Sequence, residues 1–325
     1  MASANPADSY RAPAWLPGGH AQTLWPLLCK GPRPRLQRER WATPDGDFID
    51  LDWLPHTPGA PLVVLFHGLE GSSNSPYARS LMRHLAAIGW NGVVPHFRGC
   101  SGEPNLRPRA YHAGDADEIE WILARLAARH PGAPRFAAGV SLGGNALLVW
   151  LGTRGAAACP HIDAAAAICA PLDLAAMGHH LTRGFNQVYT RHFLTTLKHS
   201  AIAKLRAHPG LFDPAAVLRA RNLHEFDNLV TAPLHGFRDS DDYWRRASSK
   251  PLLGAVAVPT LVLNPRNDPF MPAGHLPGPA EVSPAVTLEQ PAEGGHVGFV
   301  SGPWPGRLGW LPQRLVRFFT AAGKA

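Results

Sequence analysis

The chain contains little of what marks a secreted, disordered or membrane-spanning protein. Only four cysteines occur among 325 residues, and none forms a C-x-x-C pair, so reduced thiols in the cytoplasm are expected rather than a disulfide framework. Charged residues make up 17% of the chain, without a block of like charge, which argues against disorder or a coiled coil. No apolar run reaches the ~20 residues of a membrane span, and no signal-peptide pattern is present. We therefore expect a cytoplasmic protein with no integral membrane segment.

What the chain does have is enough apolar residues, 45% of the total, to bury one large core or two smaller ones. Its net charge is +7, and the basic residues are densest in K-G-P-R-P-R-L-Q-R-E-R, from Lys30 to Arg40. This run is either a solvated entry segment or a surface for phosphates or an anionic membrane. Because no nucleic-acid-binding signature accompanies it, we expect no nucleic acid partner.

Strand and helix patterns alternate through the first half of the chain. A hairpin is predicted around Pro44-Asp45-Gly46, and the continuous apolar run Leu62–Phe66 predicts a strand buried on both faces. Before a later helix, Asp115 followed by Glu118 forms a potential capping box. Alternation at this rhythm predicts a mostly parallel twisted sheet with right-handed crossovers and helices on both faces.

The alternation stops over residues 174–250, which carry helical patterns rich in histidine, arginine and aromatic residues, and resumes with a strand at Thr260–Leu263. An insertion whose two ends return to the same core is typical of a lid. We therefore expect an N-terminal arm at 1–34, an α/β core at 35–173 and 251–325, and a helical lid at 174–250.

The motif G-x-S-x-G, Gly139 to Gly143, lies directly between a predicted strand and a predicted helix. Glycines two residues before and after Ser141 allow the sharp turn that exposes its hydroxyl above the sheet. The helix N-terminus behind the turn offers the Leu142 N–H to a developing oxyanion. The sequence therefore predicts Ser141 as a nucleophile, with a packing turn as the alternative.

A serine nucleophile needs a base, and the base needs an orienting carboxylate. Asp268 follows the Thr260–Leu263 strand and His296 follows the next predicted strand, which is the chain order that this type of site uses. The rival carboxylates are Asp173, after the strand that follows the motif, and the lid residues Asp239, Asp241 and Asp242.

The loop F-H-G-L-E-G-S-S is expected to supply a second oxyanion donor, the Leu69 N–H, with His67 bracing the loop. His112 and Asp117 form an H-x4-D string that marks catalysis in some acyltransferases, but its place at a helix start favours loop and capping roles. The lid histidines lack metal-ligand spacing, and neither a metal nor a cofactor is expected. Those histidines are His179, His180, His192 and His199.

Several motifs together resemble one family. They are G-G-H-A-Q-T-L-W-P from Gly18 to Pro26, H-G-L-E-G-S-S-N-S-P-Y, F-R-G-C-S-G-E-P-N, Y-H-A-G-D-A-D-E, G-V-S-L-G-G-N, T-A-P-L-H-G-F, D-D-Y-W and N-D-P-F. Over nearly its whole length the chain resembles the YheT-like α/β-hydrolases, which are related to plant embryogenesis-associated hydrolases and animal ABHD-type lipases. The resemblance implies a carboxylic ester hydrolase with a triad of Ser141, Asp268 and His296, and an oxyanion hole around Leu69 and Leu142.

The expected function is hydrolysis of a small-molecule or lipid ester through an acyl-enzyme on Ser141. One alternative is a lipid-directed acyl hydrolase (lipase or phospholipase) or an acyltransferase, which the aromatic lid, the basic arm and peripheral membrane contact would suit. The other is an inactive hydrolase fold that serves as an interaction protein.

Overall fold

The computed structural model describes residues 9–323, and its centre is one eight-stranded sheet with strand order β1-β2-β4-β3-β5-β6-β7-β8. The β1–β2 and β2–β4 pairs are antiparallel and all other pairs are parallel. The hairpin and the parallel sheet predicted from the sequence are therefore confirmed. The strands are β1 Gln37–Ala42, β2 Phe48–Trp53, β3 Leu62–Phe66, β4 Asn91–Pro95, β5 Arg135–Val140, β6 Ala164–Ile168, β7 Thr260–Leu263 and β8 Val286–Glu289.

Helices cover both faces of the sheet, and the central strand β3 shows why its sequence is apolar throughout. Its residues 62, 64 and 66 pack with helices α3 and α4, whereas residues 63 and 65 pack with α2 and α11. Successive strand residues point to opposite faces, so a strand covered on both sides needs an apolar residue at every position. The helices of this core are α2 Pro76–Ala87, α3 Ala116–Arg129, α4 Leu142–Arg154 and α11 Trp310–Ala322, and the N-terminal arm carries helix α1, Gly19–Leu24.

The insertion between β6 and β7 is helical and has an apolar cluster of its own, centred on Leu181, Phe226, Tyr243 and Trp244. A π-helical turn, Asp227–Thr231, joins two of its short helices. The helices are α5 Leu174–Leu181, α6 Gln187–Ala207, α7 Pro214–Arg219, α8 Leu223–Phe226, α9 Ala232–His235 and α10 Ser240–Ala247.

The insertion is tied to the core through Asn145, a fully buried residue of α4. Its amide donates to the carbonyls of Ala113 (2.8 Å) and Ala247 (2.7 Å), and its oxygen accepts from the Ser249 N–H (3.1 Å). One polar side chain thus satisfies three backbone groups where the insertion returns to the sheet.

The capping box predicted at the start of α3 is wrong in both halves, since Asp115 stands at the cap position but its side chain makes no capping hydrogen bond. The Asp115 N–H donates to the His112 carbonyl, and the Glu118 carboxylate accepts instead from Arg98 Nε at 2.6 Å. A buried guanidinium forms a stronger bond to a carboxylate than a neutral backbone N–H does. Burial and the neighbouring Asp115 raise the pKa of Glu118 above its ordinary value.

Candidate active site

The turn that carries Ser141 connects the end of β5 to the start of α4. Ser141 has φ 53° and ψ −122°, a strained conformation for a residue with a side chain. A Cβ at Gly139 would lie 2.5 Å from the Gly143 carbonyl oxygen, and one at Gly143 would lie 2.4 Å from that of His67. Both glycines of the motif are therefore required by backbone packing around the serine.

The structure brings together the three side chains that the sequence predicted to form a triad. Ser141 Oγ lies 3.0 Å from His296 Nε2, and His296 Nδ1 lies 2.9 Å from Asp268 Oδ2. The sequence separations are 155 residues between serine and histidine and 28 between histidine and aspartate. The residues meet because β5, β7 and β8 are parallel, so the loops that follow them share one edge of the sheet.

Asp268 is held rigidly behind the histidine. Its side chain is fully buried, and its Oδ1 accepts from the Phe270 N–H at 2.8 Å. The Phe270 ring also stacks on the imidazole of His296, with 3.9 Å between ring centroids. Carboxylate and ring together fix the plane of the imidazole.

Cys169, at the end of β6, is a member of this site that sequence reasoning missed. Its Sγ accepts from the Val297 N–H at 3.2 Å, and burial, together with the nearby charge of Asp268, raises the pKa of the thiol. The neutral thiol packs behind the aspartate and supports the residue after His296. No spacing pattern in the sequence distinguishes this cysteine from the other three.

The rival carboxylates have other partners. Asp173 caps helix α5 and lies 3.2 Å from His275, and Asp239 caps α10. Asp241 pairs with His224, while Asp242 pairs with two arginines of its own helix.

The loop after β3 faces the serine, and its shape is set by hydrogen bonds to aromatic hydroxyls. The Gly68 N–H donates to Tyr77 Oη at 2.9 Å, and the Glu70 N–H donates to Tyr111 Oη at 2.8 Å. Glu70 has φ 52°, so the chain reverses directly after Leu69. The reversal brings Leu69 to the wall of the cavity that Ser141 and Leu142 also line.

His67 braces this loop from below, as the sequence suggested. It is fully buried, its Nδ1 lies 2.8 Å from the Gly68 carbonyl, and its Nε2 accepts from the Phe97 N–H at 3.1 Å. Burial lowers the pKa of His67 to about 3, so the ring is neutral and one nitrogen is available as acceptor.

A cavity of about 420 Å³ lies between Ser141 and the helical insertion. That volume lies within the range of small-molecule sites. Helix α6 runs along it from Phe193, which contacts Phe270, to Lys204, which donates to the carbonyls of Arg107 and Arg109. Its walls are mostly apolar and include Met177, Leu181, Leu197, Phe226 and Val230.

The H-x4-D string and the lid histidines are the two remaining candidates from the sequence, and neither belongs to the triad. His112 is close to His235 within the wall of the cavity. Asp117 pairs instead with Arg154 at the surface, so the H-x4-D residues do not form a catalytic pair with each other. Within residues 9–323, one group of metal-ligating side chains lies close enough to share an ion, and it consists of Cys169, Asp268 and His296. Asp268 and His296 already bond to each other within the triad, and Cys169 Sγ accepts from the Val297 N–H.

Fold and site define an α/β hydrolase. The family model described as "alpha/beta hydrolase fold" matches residues 61–303, and the chain belongs to this family. None of the helices within residues 9–323 combines the length and apolar character that a transbilayer span requires.

Within the family, the chain is similar to the Escherichia coli (strain K12) protein named "Putative esterase YheT", with 41% identity over 93% of this chain and 90% of that protein. It is also 32% identical to mouse Phospholipase ABHD3, over 97% of this chain and 79% of ABHD3. The embryogenesis-associated protein EMB8 of Picea glauca is 28% identical over 90% of this chain and 68% of its own length. The resemblance to the YheT-like hydrolases is therefore confirmed.

Solved structures share the fold at lower identity. A membrane phospholipase A described as a bacterial virulence factor superposes with a TM-score of 0.59 at 17% identity, over 89% of this chain and 87% of that one. Mouse alpha/beta hydrolase domain-containing protein 10 superposes with a TM-score of 0.54 at 13% identity, over 89% and 100%. These likenesses establish the fold alone.

Proposed function

We propose that this hydrolase cleaves carboxylic esters through an acyl-enzyme on Ser141, with His296 as general base and Asp268 as the orienting carboxylate. The observation that carries the proposal is the continuous hydrogen-bonded chain from Ser141 Oγ through the imidazole to the buried carboxylate. Its relatives named as an esterase and a phospholipase support the same reaction class.

In this mechanism, His296 Nε2 accepts the hydroxyl proton while Ser141 Oγ attacks the ester carbonyl. Asp268 accepts the Nδ1–H, which keeps Nε2 free as the base and stabilises the imidazolium that forms. The imidazolium then protonates the leaving alcohol, and the same nitrogen activates the water that releases the acid.

The negative charge on the carbonyl oxygen is received by the N–H groups of Leu142 and Leu69. Leu142 is the first residue of α4, where the N–H has no partner within the helix and points with the helix dipole. Leu69 lies between two residues whose N–H groups are tied to tyrosine hydroxyls, which restricts its own orientation. One such donor contributes ~3 kcal/mol to the transition state.

The experiment is labelling of purified protein with a fluorophosphonate probe, together with hydrolysis of p-nitrophenyl esters of rising chain length. We expect labelling and turnover in the wild type and neither in Ser141→Ala. A folded wild type that the probe does not label would instead support an inactive hydrolase fold that serves as an interaction protein.

A lipid substrate is the second candidate, because exposed apolar residues cluster beside the basic run. Trp25 Nε1 donates to the Pro305 carbonyl at 2.8 Å, and the His20 ring contacts Phe185 at 4.7 Å, so arm, C-terminal loop and lid form one surface. Lys30, Arg33 and Arg35 are exposed at its margin. The exposed apolar residues of this surface are Leu24, Leu27, Leu28, Phe185, Val188 and Trp304.

Apolar residues beside basic ones fit an anionic lipid surface. We expect the protein to sediment with anionic vesicles more than with zwitterionic ones, and Leu28→Ser to weaken sedimentation. Leu106→Ser is the matched control, because Leu106 is similarly exposed (65% against 76%) but lies outside this surface. Equal sedimentation of all three proteins would exclude a role for the surface.

The four unpaired cysteines support the cytoplasm as the proposed compartment.

A further inference from the structure

The N-terminal arm packs directly against the two loops that carry Asp268 and His296. Helix α1 of the arm supplies Gln22 and Thr23, whose side chains bond to residues 267, 294 and 296. These contacts join residues separated by 245 to 273 positions in the chain. The mechanism proposed above assigns no part to them.

Thr23 contacts the base itself through the backbone. Its Oγ1 accepts from the His296 N–H at 2.8 Å and donates to the Gly19 carbonyl at 2.7 Å. The first bond fixes the position of the His296 backbone relative to helix α1. The second orients the hydroxyl so that its lone pair faces His296.

Gln22 connects the aspartate loop to the histidine loop. The side chain is fully buried, and its Oε1 accepts from Asn267 Nδ2 (2.9 Å) and from the Gly294 N–H (2.9 Å). Asn267 in turn accepts from the Gly295 N–H at 2.9 Å. Asn267 precedes the aspartate and Gly295 precedes the histidine, so this network sets the distance between the two loops.

The glycines around His296 allow the arm to approach this closely. A Cβ at Gly295 would lie 2.7 Å from the Gly19 carbonyl oxygen, and one at Gly298 would lie 2.4 Å from that of Gln22. Real side chains never tolerate such contacts with backbone atoms. The glycine setting of His296 thus serves contact with the arm.

We propose that Thr23 and Gln22 are positioning residues of the active site, which hold His296 at the distance from Ser141 that proton transfer requires. The inference rests on the proposed ester hydrolysis. A misplacement of about 1 Å in a catalytic group can cost on the order of 100-fold in rate. Loss of these bonds should therefore lower kcat while it leaves KM nearly unchanged, because neither residue lines the cavity.

The test compares Thr23→Val, Thr23→Ala and Thr23→Ser with the wild type in ester hydrolysis and in the rate of fluorophosphonate labelling. We expect the valine and alanine variants to lose about tenfold or more in kcat and in labelling rate, with KM within about twofold. Thr23→Ser keeps the acceptor oxygen and should stay within about threefold of the wild type. Gln22→Met should lose at least as much as Thr23→Val.

Thr153→Val is the matched control. Thr153 also donates its hydroxyl to a carbonyl four residues earlier, that of Val149, at 2.7 Å, but it accepts no bond from a catalytic loop. This variant should keep the wild-type kcat. Melting temperatures of all variants, measured in the assay buffer, report whether each is folded at the assay temperature.

The inference is overturned if folded Thr23→Val and Thr23→Ala keep kcat within twofold of the wild type. It is also overturned if Thr23→Ser fails to restore kcat, or if Thr153→Val loses as much, since either result would indicate a general effect on stability. A wild type that neither turns over esters nor reacts with the probe would refute the proposed function instead.

Discussion

Replacing Asp268 by asparagine tests the orientation of the base, because the two carboxylate oxygens differ in their hydrogen bonds. Oδ1 accepts from the Phe270 N–H (2.8 Å) and lies 3.2 Å from His296 Nδ1, whereas Oδ2 is the nearer acceptor for that nitrogen (2.9 Å). Asparagine can supply an oxygen at only one of these places, with an NH₂ group at the other. Its volume is nearly unchanged, so packing is conserved.

The structure indicates which orientation the asparagine adopts. With NH₂ facing the Phe270 N–H, a buried donor is left without an acceptor, which costs ~1–3 kcal/mol. With NH₂ facing His296, Nδ1 becomes the acceptor and the imidazole proton moves to Nε2. The second orientation is favoured, and it removes the lone pair that accepts the proton of Ser141. The equivalent substitution in a known Ser-His-Asp protease lowers kcat about 10⁴-fold, and we expect a loss of ~10³–10⁴-fold here.

The assay is steady-state hydrolysis of a p-nitrophenyl ester that the wild type cleaves, with a melting temperature for each variant. Asp173→Asn is the control, since Asp173 follows β6 but pairs with His275 and caps helix α5, a role that asparagine also fills. This variant should keep kcat within about threefold of the wild type. An Asp268→Asn enzyme that retains more than a tenth of the wild-type kcat would refute the role given to this carboxylate.

Three further predictions concern folding and pH. Gly143→Ala should destabilise the fold by more than ~4 kcal/mol, because its Cβ would lie 2.4–2.5 Å from the carbonyl oxygens of His67 and Phe66. Asn145→Leu leaves three buried backbone groups without partners and should cost ~3 kcal/mol or more in unfolding free energy. Burial raises the pKa of Asp227 to about 6, so the folded state retains this proton more tightly than the unfolded chain. The contribution of this group to the free energy of unfolding should then fall by up to ~3 kcal/mol as pH rises from about 4 to about 6, so the stability of Asp227→Asn should gain on that of the wild type over this range.

Urea unfolding measures all three, and each has its own control. Gly254→Ala should be nearly neutral, since no atom lies within 4 Å of the added Cβ, and equal costs for both glycine variants would contradict the packing argument. Asn74→Leu, at an exposed position, should cost less than ~0.5 kcal/mol. For Asp227, unfolding at pH 4.5 and pH 7 is compared, and identical pH dependence in the wild type and the asparagine variant would contradict the burial argument.

The sheet and the triad could be predicted from the sequence because both leave local signals. A strand buried on two faces is apolar at every position, as in Leu62–Phe66, and a nucleophile turn needs glycines at fixed offsets from Ser141. Asp268 and His296 follow because parallel strands deliver the loops after them to one edge. Their roles in catalysis are proposals that the variants above test.

The residues that hold the loops of the triad in place could not be predicted in the same way. The bonds of Gln22 and Thr23 link positions about 270 residues apart, and no periodicity or spacing encodes such a pairing. Cys169 supports Val297 through a thiol that the sequence shows only as one cysteine among four. The capping box predicted between Asp115 and Glu118 was wrong, because the Glu118 carboxylate bonds to the side chain of Arg98 and not to the backbone N–H of Asp115.

The contacts of helix α1 have a consequence for the order in which the protein folds during synthesis. The side chains of Gln22 and Thr23 accept from the N–H groups of Gly294 and His296, which are translated more than 270 residues later. Helix α1 therefore lacks these partners while the intervening chain is added, and contacts of such separation are slow to form. The turn of Ser141 is translated well before His296, so the base gains its support from α1 only after the loop that follows β8 has been made.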